Sequence, residues 1–132
     1  MTGADGVRIV RGGAIESSSR RLDYSRGVSA ESVGATGICM HLGVVPPGVV
    51  AEPHLHENHE TALYVLSGRA GVDYGPNLEH RLECEAGDFC YIAAAGVPHR
   101  PFNLSDTEPC EFVVARTDPN EEESVVLLPH LR

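Results

Sequence analysis

The sequence predicts an all-β chain folded as a sandwich or closed barrel, and three observations carry that expectation. Short segments rich in Val, Ile, Leu and Tyr alternate with turns carrying Gly or Pro at intervals of about eight to twelve residues. No segment keeps a helical period; the one weak candidate, Ala14–Leu22, is serine-rich and poorly patterned. At 132 residues the chain suits a single domain over 1–132, able to bury roughly two-thirds of its unfolded surface around one core.

Taken in order, residues 1–30 are polar and rich in Gly, Ser and Arg, and are expected to form an N-terminal arm lying over a barrel built from 31–132. Strands are expected at Ile38–Val45, Thr61–Leu66, Gly71–Tyr74, Arg81–Glu83, Phe89–Ile92 and Glu111–Ala115. Val125–Leu128 is a continuous apolar run before Pro129, the pattern of a last strand buried on both faces. Turns are marked by Val45-Pro46-Pro47-Gly48, Ser67-Gly68, Tyr74-Gly75-Pro76-Asn77, Ala86-Gly87-Asp88 and Ala95-Gly96-Val97-Pro98. Thr117–Glu123 reads as a solvated surface loop.

The formal charge is −9, and every basic side chain other than histidine is an arginine. Such a chain is repelled at long range by nucleic acid and by anionic membrane surfaces, so neither is expected as a partner. An anionic small molecule remains compatible, because a buried metal outweighs distant surface charges locally. The N-terminus shows no apolar signal segment and no stretch is long enough to span a bilayer. Cys39, Cys84, Cys90 and Cys110 are scattered without a C-x-x-C pair and read as reduced, small buried hydrophobes in a cytoplasmic protein.

Chemistry concentrates in His54-Leu55-His56-Glu57-Asn58-His59-Glu60 and in Val97-Pro98-His99. Imidazole and carboxylate are good ligands for first-row divalent metals. His54 and His56 are two apart, so on a strand both rings leave one face and can close on one ion; His99 supplies a third ligand from a distant strand. The site so formed would keep open positions for water or substrate. Glu60 is expected as the fourth ligand, with a three-histidine site that recruits His59 as the alternative. His41, within Ile38–Val45, and Glu60 are candidates for acid–base work, against the simpler reading of His41 as a histidine hydrogen-bonded in place. His80 and His130 read as surface residues. Tyr64, Tyr74 and Tyr91 read as strand core, with one of them available to line a pocket, and Phe102 as core or pocket wall.

Gly48, His54-x-His56, Glu60 and Gly68 resemble the first conserved motif of the cupins, and Gly87-Asp88-Phe89 through Gly96-Val97-Pro98-His99-Arg100-Pro101-Phe102-Asn103 resembles the second. The stretch His56–Gly68 is further similar to small single-domain cupins labelled mannose-6-phosphate-isomerase-like. In the family spacing the ligand glutamate lies seven residues before the closing glycine, which here is Thr61; counting from His56, three residues intervene before Glu60. Strand alternation puts Glu60 and Thr61 on opposite faces, and His59 shares the parity of Thr61. Ala93-Ala94-Ala95 stands where the family has a proline and one residue fewer.

The resemblance implies a double-stranded β-helix, the cupin-type jelly-roll barrel, holding one divalent metal ion per chain. Zinc or iron comes first, with manganese, nickel or copper as alternatives. It implies an enzyme binding a small polar molecule and carrying out oxidative, lyase, isomerase or rearrangement chemistry. A non-catalytic metal-containing module for a small ligand is the alternative, and metal-free epimerase chemistry is disfavoured because clustered imidazoles repel when protonated. Such barrels pair through edges and exchanged terminal strands, so a homodimer is expected, with Val125–Leu128 and the N-terminal arm in its interface.

Overall fold

The computed structural model describes residues 2–13, 15–18, 21–121 and 125–132. Among them thirteen strands account for most of the regular structure: β1 (Thr2–Ala4), β2 (Val7–Ile9), β3 (Glu16–Ser17), β4 (Asp23–Val28), β5 (Cys39–Val45), β6 (His54–His56), β7 (Thr61–Ser67), β8 (Arg69–Tyr74), β9 (His80–Glu85), β10 (Phe89–Ile92), β11 (His99–Asn103), β12 (Cys110–Arg116) and β13 (Val125–Leu127). A one-turn helix, α1 (Ala30–Val33), is capped by Ser29, and a 3-10 turn covers Pro129–Leu131. The pairing is antiparallel throughout. One sheet runs β10-β7-β12-β5-β4-β3, a second β13-β6-β11-β8-β9, and β1-β2 form a separate hairpin. Two antiparallel sheets with non-sequential neighbours make the expected jelly-roll sandwich.

Alternation decides which side chains reach the core. In β12, Cys110, Phe112, Val114 and Arg116 are buried, while Glu111, Val113 and Ala115 are half-buried on the other face. β12 lies between β5 and β7, so its inward row is packed on both sides by theirs. The core so formed joins Leu22, Tyr24, Val45, Val65, Phe112 and Val114. Phe112 stands opposite Gly43, where a Cβ would collide with its ring, and Tyr24 meets that ring edge-on at 6.4 Å.

Most expected strands are present, with ends moved by at most two residues. Three differences have physical causes. Residues 23–28, expected within an arm, form β4 of the larger sheet and bring Tyr24 into the core; polar Asp23, Ser25 and Arg26 disguise the strand. The helical candidate Ala14–Leu22 contains β3 instead, with residues 14, 19 and 20 outside the described set. Val125–Leu127 is not buried on both faces: β13 is an edge strand paired with β6 alone, leaving Val126 and Leu127 exposed. Of the expected loop Thr117–Glu123, residues 122 and 123 lie outside the described set.

β11 is pinned at its C-terminal end by Asn103. Its Nδ2 donates to the carbonyls of Glu108 (2.8 Å), Val45 (3.0 Å) and Pro46 (3.3 Å), and its Oδ1 accepts from the Ser105 amide (2.7 Å). The amide therefore locks the loop from β11 to β12 against the end of β5. No helix of the described residues is long and apolar enough to cross a membrane.

Candidate metal centre

His54 and His56 flank Leu55 on the three-residue strand β6, and the period of two sends both rings to the inner face. β11 pairs with β6 through one register pair, His99 opposite His54, which carries the third ring to the same place. Ring centroids are 4.3 Å apart for His54–His99 and 4.9 Å for both His54–His56 and His56–His99. The three offer ligand nitrogens that all lie within 4.8 Å of one another, and all three residues are buried.

Backbone geometry selects the tautomers. The Nδ1 of His54 is 2.7 Å from the Glu52 carbonyl, and that of His99 is 2.9 Å from the Val97 carbonyl. A carbonyl only accepts, so each Nδ1 carries the proton and donates it, leaving the Nε2 lone pair as the ligand. This is the outer hydrogen bond that orients metal-binding imidazoles and raises their basicity. Together with the His56 ring, these make a buried cluster of three ligand nitrogens that fits a divalent ion.

The triad opens into a cavity of about 90 Å³ between the sheets, walled by aliphatic residues of both and by Phe112. That is room for several waters or one small organic molecule. Thr61 and Arg116 join the histidines as polar lining groups, and Cys84, Cys90 and Cys110 also line it. Burial pushes all three thiols above their ordinary pKa, Cys110 to about 11, so they stay protonated and serve as packing groups.

The other expected site residues are placed elsewhere. Glu60 is exposed on the opposite face of its segment: its carboxylate accepts from the Tyr91 hydroxyl at 2.5 Å, and its amide donates to Thr117 Oγ1. The Glu60 bond is the first cause of a raised Tyr91 pKa. Thr61 holds the inward position, as the parity argument allows. Glu60 is therefore not brought to the histidines. His59 is buried with its ring 5.1 Å from that of His56, its Nδ1 3.1 Å from the Glu57 carbonyl and 3.7 Å from Asp118 Oδ2. It stands beside the triad without joining the ligand group. His41 is buried in β5 but does not line the cavity; its Nδ1 accepts from the Gly27 amide at 2.9 Å. That geometry matches a histidine hydrogen-bonded in place.

Tyr64 and Tyr91 are exposed and none of Tyr64, Tyr74 and Tyr91 lines the cavity; Tyr24, from the segment read as an arm, does. Phe102 packs on Gly71 under the Arg81 guanidinium. Arg116 was missed because the expected strand stopped at Ala115, although the row Cys110, Phe112, Val114 points on to it.

The family model described as a cupin domain matches residues 41–116. The chain belongs to the cupin family. This cupin matches no curated protein. Among solved structures it is similar to the S161A mutant of Bacillus subtilis oxalate decarboxylase, at 26% identity and a TM-score of 0.67, over 86% of this chain and 29% of that one. The same enzyme at pH 4.6 gives the same figures. A study of its Mn(II) centres gives 24% identity and a TM-score of 0.68, again over 86% and 29%, which shows the fold alone. The cupin thus spans less than a third of the length of these relatives.

Proposed function

We propose that this cupin is a metal-dependent enzyme that binds one divalent ion through His54, His56 and His99 and acts on a small molecule in the cavity beside it. The observation that carries the reading is the convergence of three buried imidazoles, two of them with Nδ1 tied to backbone carbonyls. When bound, such an ion supplies Lewis-acid polarisation, and redox chemistry too if it is iron or manganese. Manganese joins zinc and iron as a candidate because the Bacillus subtilis oxalate decarboxylase to which this chain is 26% identical is an enzyme whose Mn(II) centres have been studied.

The protein's own residues have separable tasks. Glu52 and Val97 carbonyls orient the ligand rings, the aliphatic walls keep bulk water from the chamber, and Arg116 and Thr61 present donors to whatever enters. Decarboxylation or another lyase reaction is the class favoured by the likeness to oxalate decarboxylase. One observation favours a non-catalytic binding module: Glu60 and His41, the candidates for acid–base work, both lie away from the cavity lining.

Elemental analysis of protein purified without added metal tests the proposal, run beside His56→Ala and His99→Ala. We expect one zinc, iron or manganese per chain in the parent, and loss of about nine-tenths of it in either variant with the fold retained. Metal content unchanged in both variants would refute the site.

A further inference from the structure

We propose that Arg116 and Thr61 form a carboxylate-binding subsite beside the histidine triad, so that the cavity takes a small carboxylate with a compact apolar remainder. The proposal rests on the reading of the cavity as a substrate chamber and names what that chamber selects. Arg116 ends the inward row of β12, and Thr61 begins the inward row of β7; the two are direct register partners on one face of the sheet. Directly opposed residues stand close enough for their side chains to serve one ligand group. Both are 3% exposed, and both line the cavity together with all three histidines.

Two features point to a ligand. The Oγ1 of Thr61 is buried without a hydrogen-bond partner, an arrangement native interiors avoid unless something else satisfies the group. Arg116 is the one permanently charged side chain among the described lining residues. A guanidinium is planar, presents a fork of N–H donors and stays protonated, which matches a carboxylate geometrically and electrically. The Thr61 hydroxyl adds a donor to the same oxygens. The remaining walls near this pair, Leu63, Val114 and Ile92, offer no polar partner, so the rest of the ligand is apolar and limited by a volume of about 90 Å³.

The test uses 2-methylpropanoate and its neutral amide, 2-methylpropanamide, as probes, titrated into the full chain and followed by backbone amide shifts in NMR. Each titration is run on protein as purified and after chelation, so that metal ligation by the carboxylate is separated from the subsite. We expect the carboxylate to bind about thirtyfold more tightly than the amide in both preparations. Arg116→Met should erase that preference. Thr61→Val, nearly isosteric, should weaken carboxylate binding about fivefold while leaving metal content and Tm unchanged or raising Tm, since it removes an unsatisfied hydroxyl. Equal binding of acid and amide in chelated parent protein, or no binding of the acid, would overturn the proposal even if Arg116→Met fails to fold. So would an unaltered affinity in Thr61→Val. Absence of metal in the purified protein would instead strike at the metal reading and leave these titrations interpretable.

Discussion

Replacing Asn103 with alanine should cost about 3 kcal/mol of stability, a figure that follows from its hydrogen bonds. The side chain makes short bonds to the Glu108 carbonyl (2.8 Å), the Val45 carbonyl (3.0 Å) and the Ser105 amide (2.7 Å), with the Pro46 carbonyl sharing a donor at 3.3 Å. Three good bonds to a buried amide are worth about 1 kcal/mol each, and water reaching Ser105 would recover a fraction of one. For a chain of this length that loss lowers Tm by roughly 9 °C. The assay is urea or thermal unfolding followed by far-UV circular dichroism. His99 lies at the other end of β11, about 13 Å along the strand, so metal content should change little. Asn103→Asp is the sharper control, because a carboxylate would then face three carbonyl oxygens. It should be at least as destabilised as the alanine variant near neutrality and recover partly in acid, where protonation restores a donor. A Tm loss under about 3 °C for alanine, or a parent-like aspartate variant, would refute the hydrogen-bond reasoning.

Other expectations concern charge and exposure. Asp73 accepts from Arg81 at 2.7 and 3.2 Å and from Arg100 at 2.8 Å, and these partners, Arg81 foremost, hold its pKa below the ordinary carboxylate value. A depressed folded pKa means stability that is present above the unfolded pKa and lost as pH falls through the folded one. The acid limb below about pH 4 should therefore flatten in Asp73→Asn, as read by Tm against pH. Glu60→Gln should retain the parent's metal content, because the carboxylate is bonded to Tyr91 on the outer face; loss of metal would show that Glu60 turns inward on loading. Cys84, Cys90 and Cys110, with thiol pKa values raised by burial, should resist iodoacetamide at pH 7 in folded protein and react only after unfolding, as mass spectrometry would reveal.

The jelly-roll and the triad were both legible in the chain itself. Strands announce themselves by short apolar runs between Gly and Pro turns, and the pairing of His54 with His56 needs only the local period of two. His99 could be added through the second motif, since its flanking glycine, proline and asparagine keep family spacing. What failed was the question of parity. Glu60 and Thr61 occupy adjacent positions on opposite faces, and nothing local says which face the second sheet covers. The structure settles it: β7 pairs with β12 so that Thr61 and Arg116 look inward, and Glu60 bonds to Tyr91 outside. β4 hid for a related reason, because a strand with polar neighbours contributes to the core only through the residues its partner strand selects.

By itself, then, the sequence determined the strand content and the three imidazoles, because alternation and ligand chemistry are properties of short windows. The tertiary structure decided which residues share the chamber with those imidazoles. Arg116 is 60 residues from His56 in the chain and lines the same cavity only through the packing of one sheet on the other, a placement that register and sheet order create and no local pattern encodes.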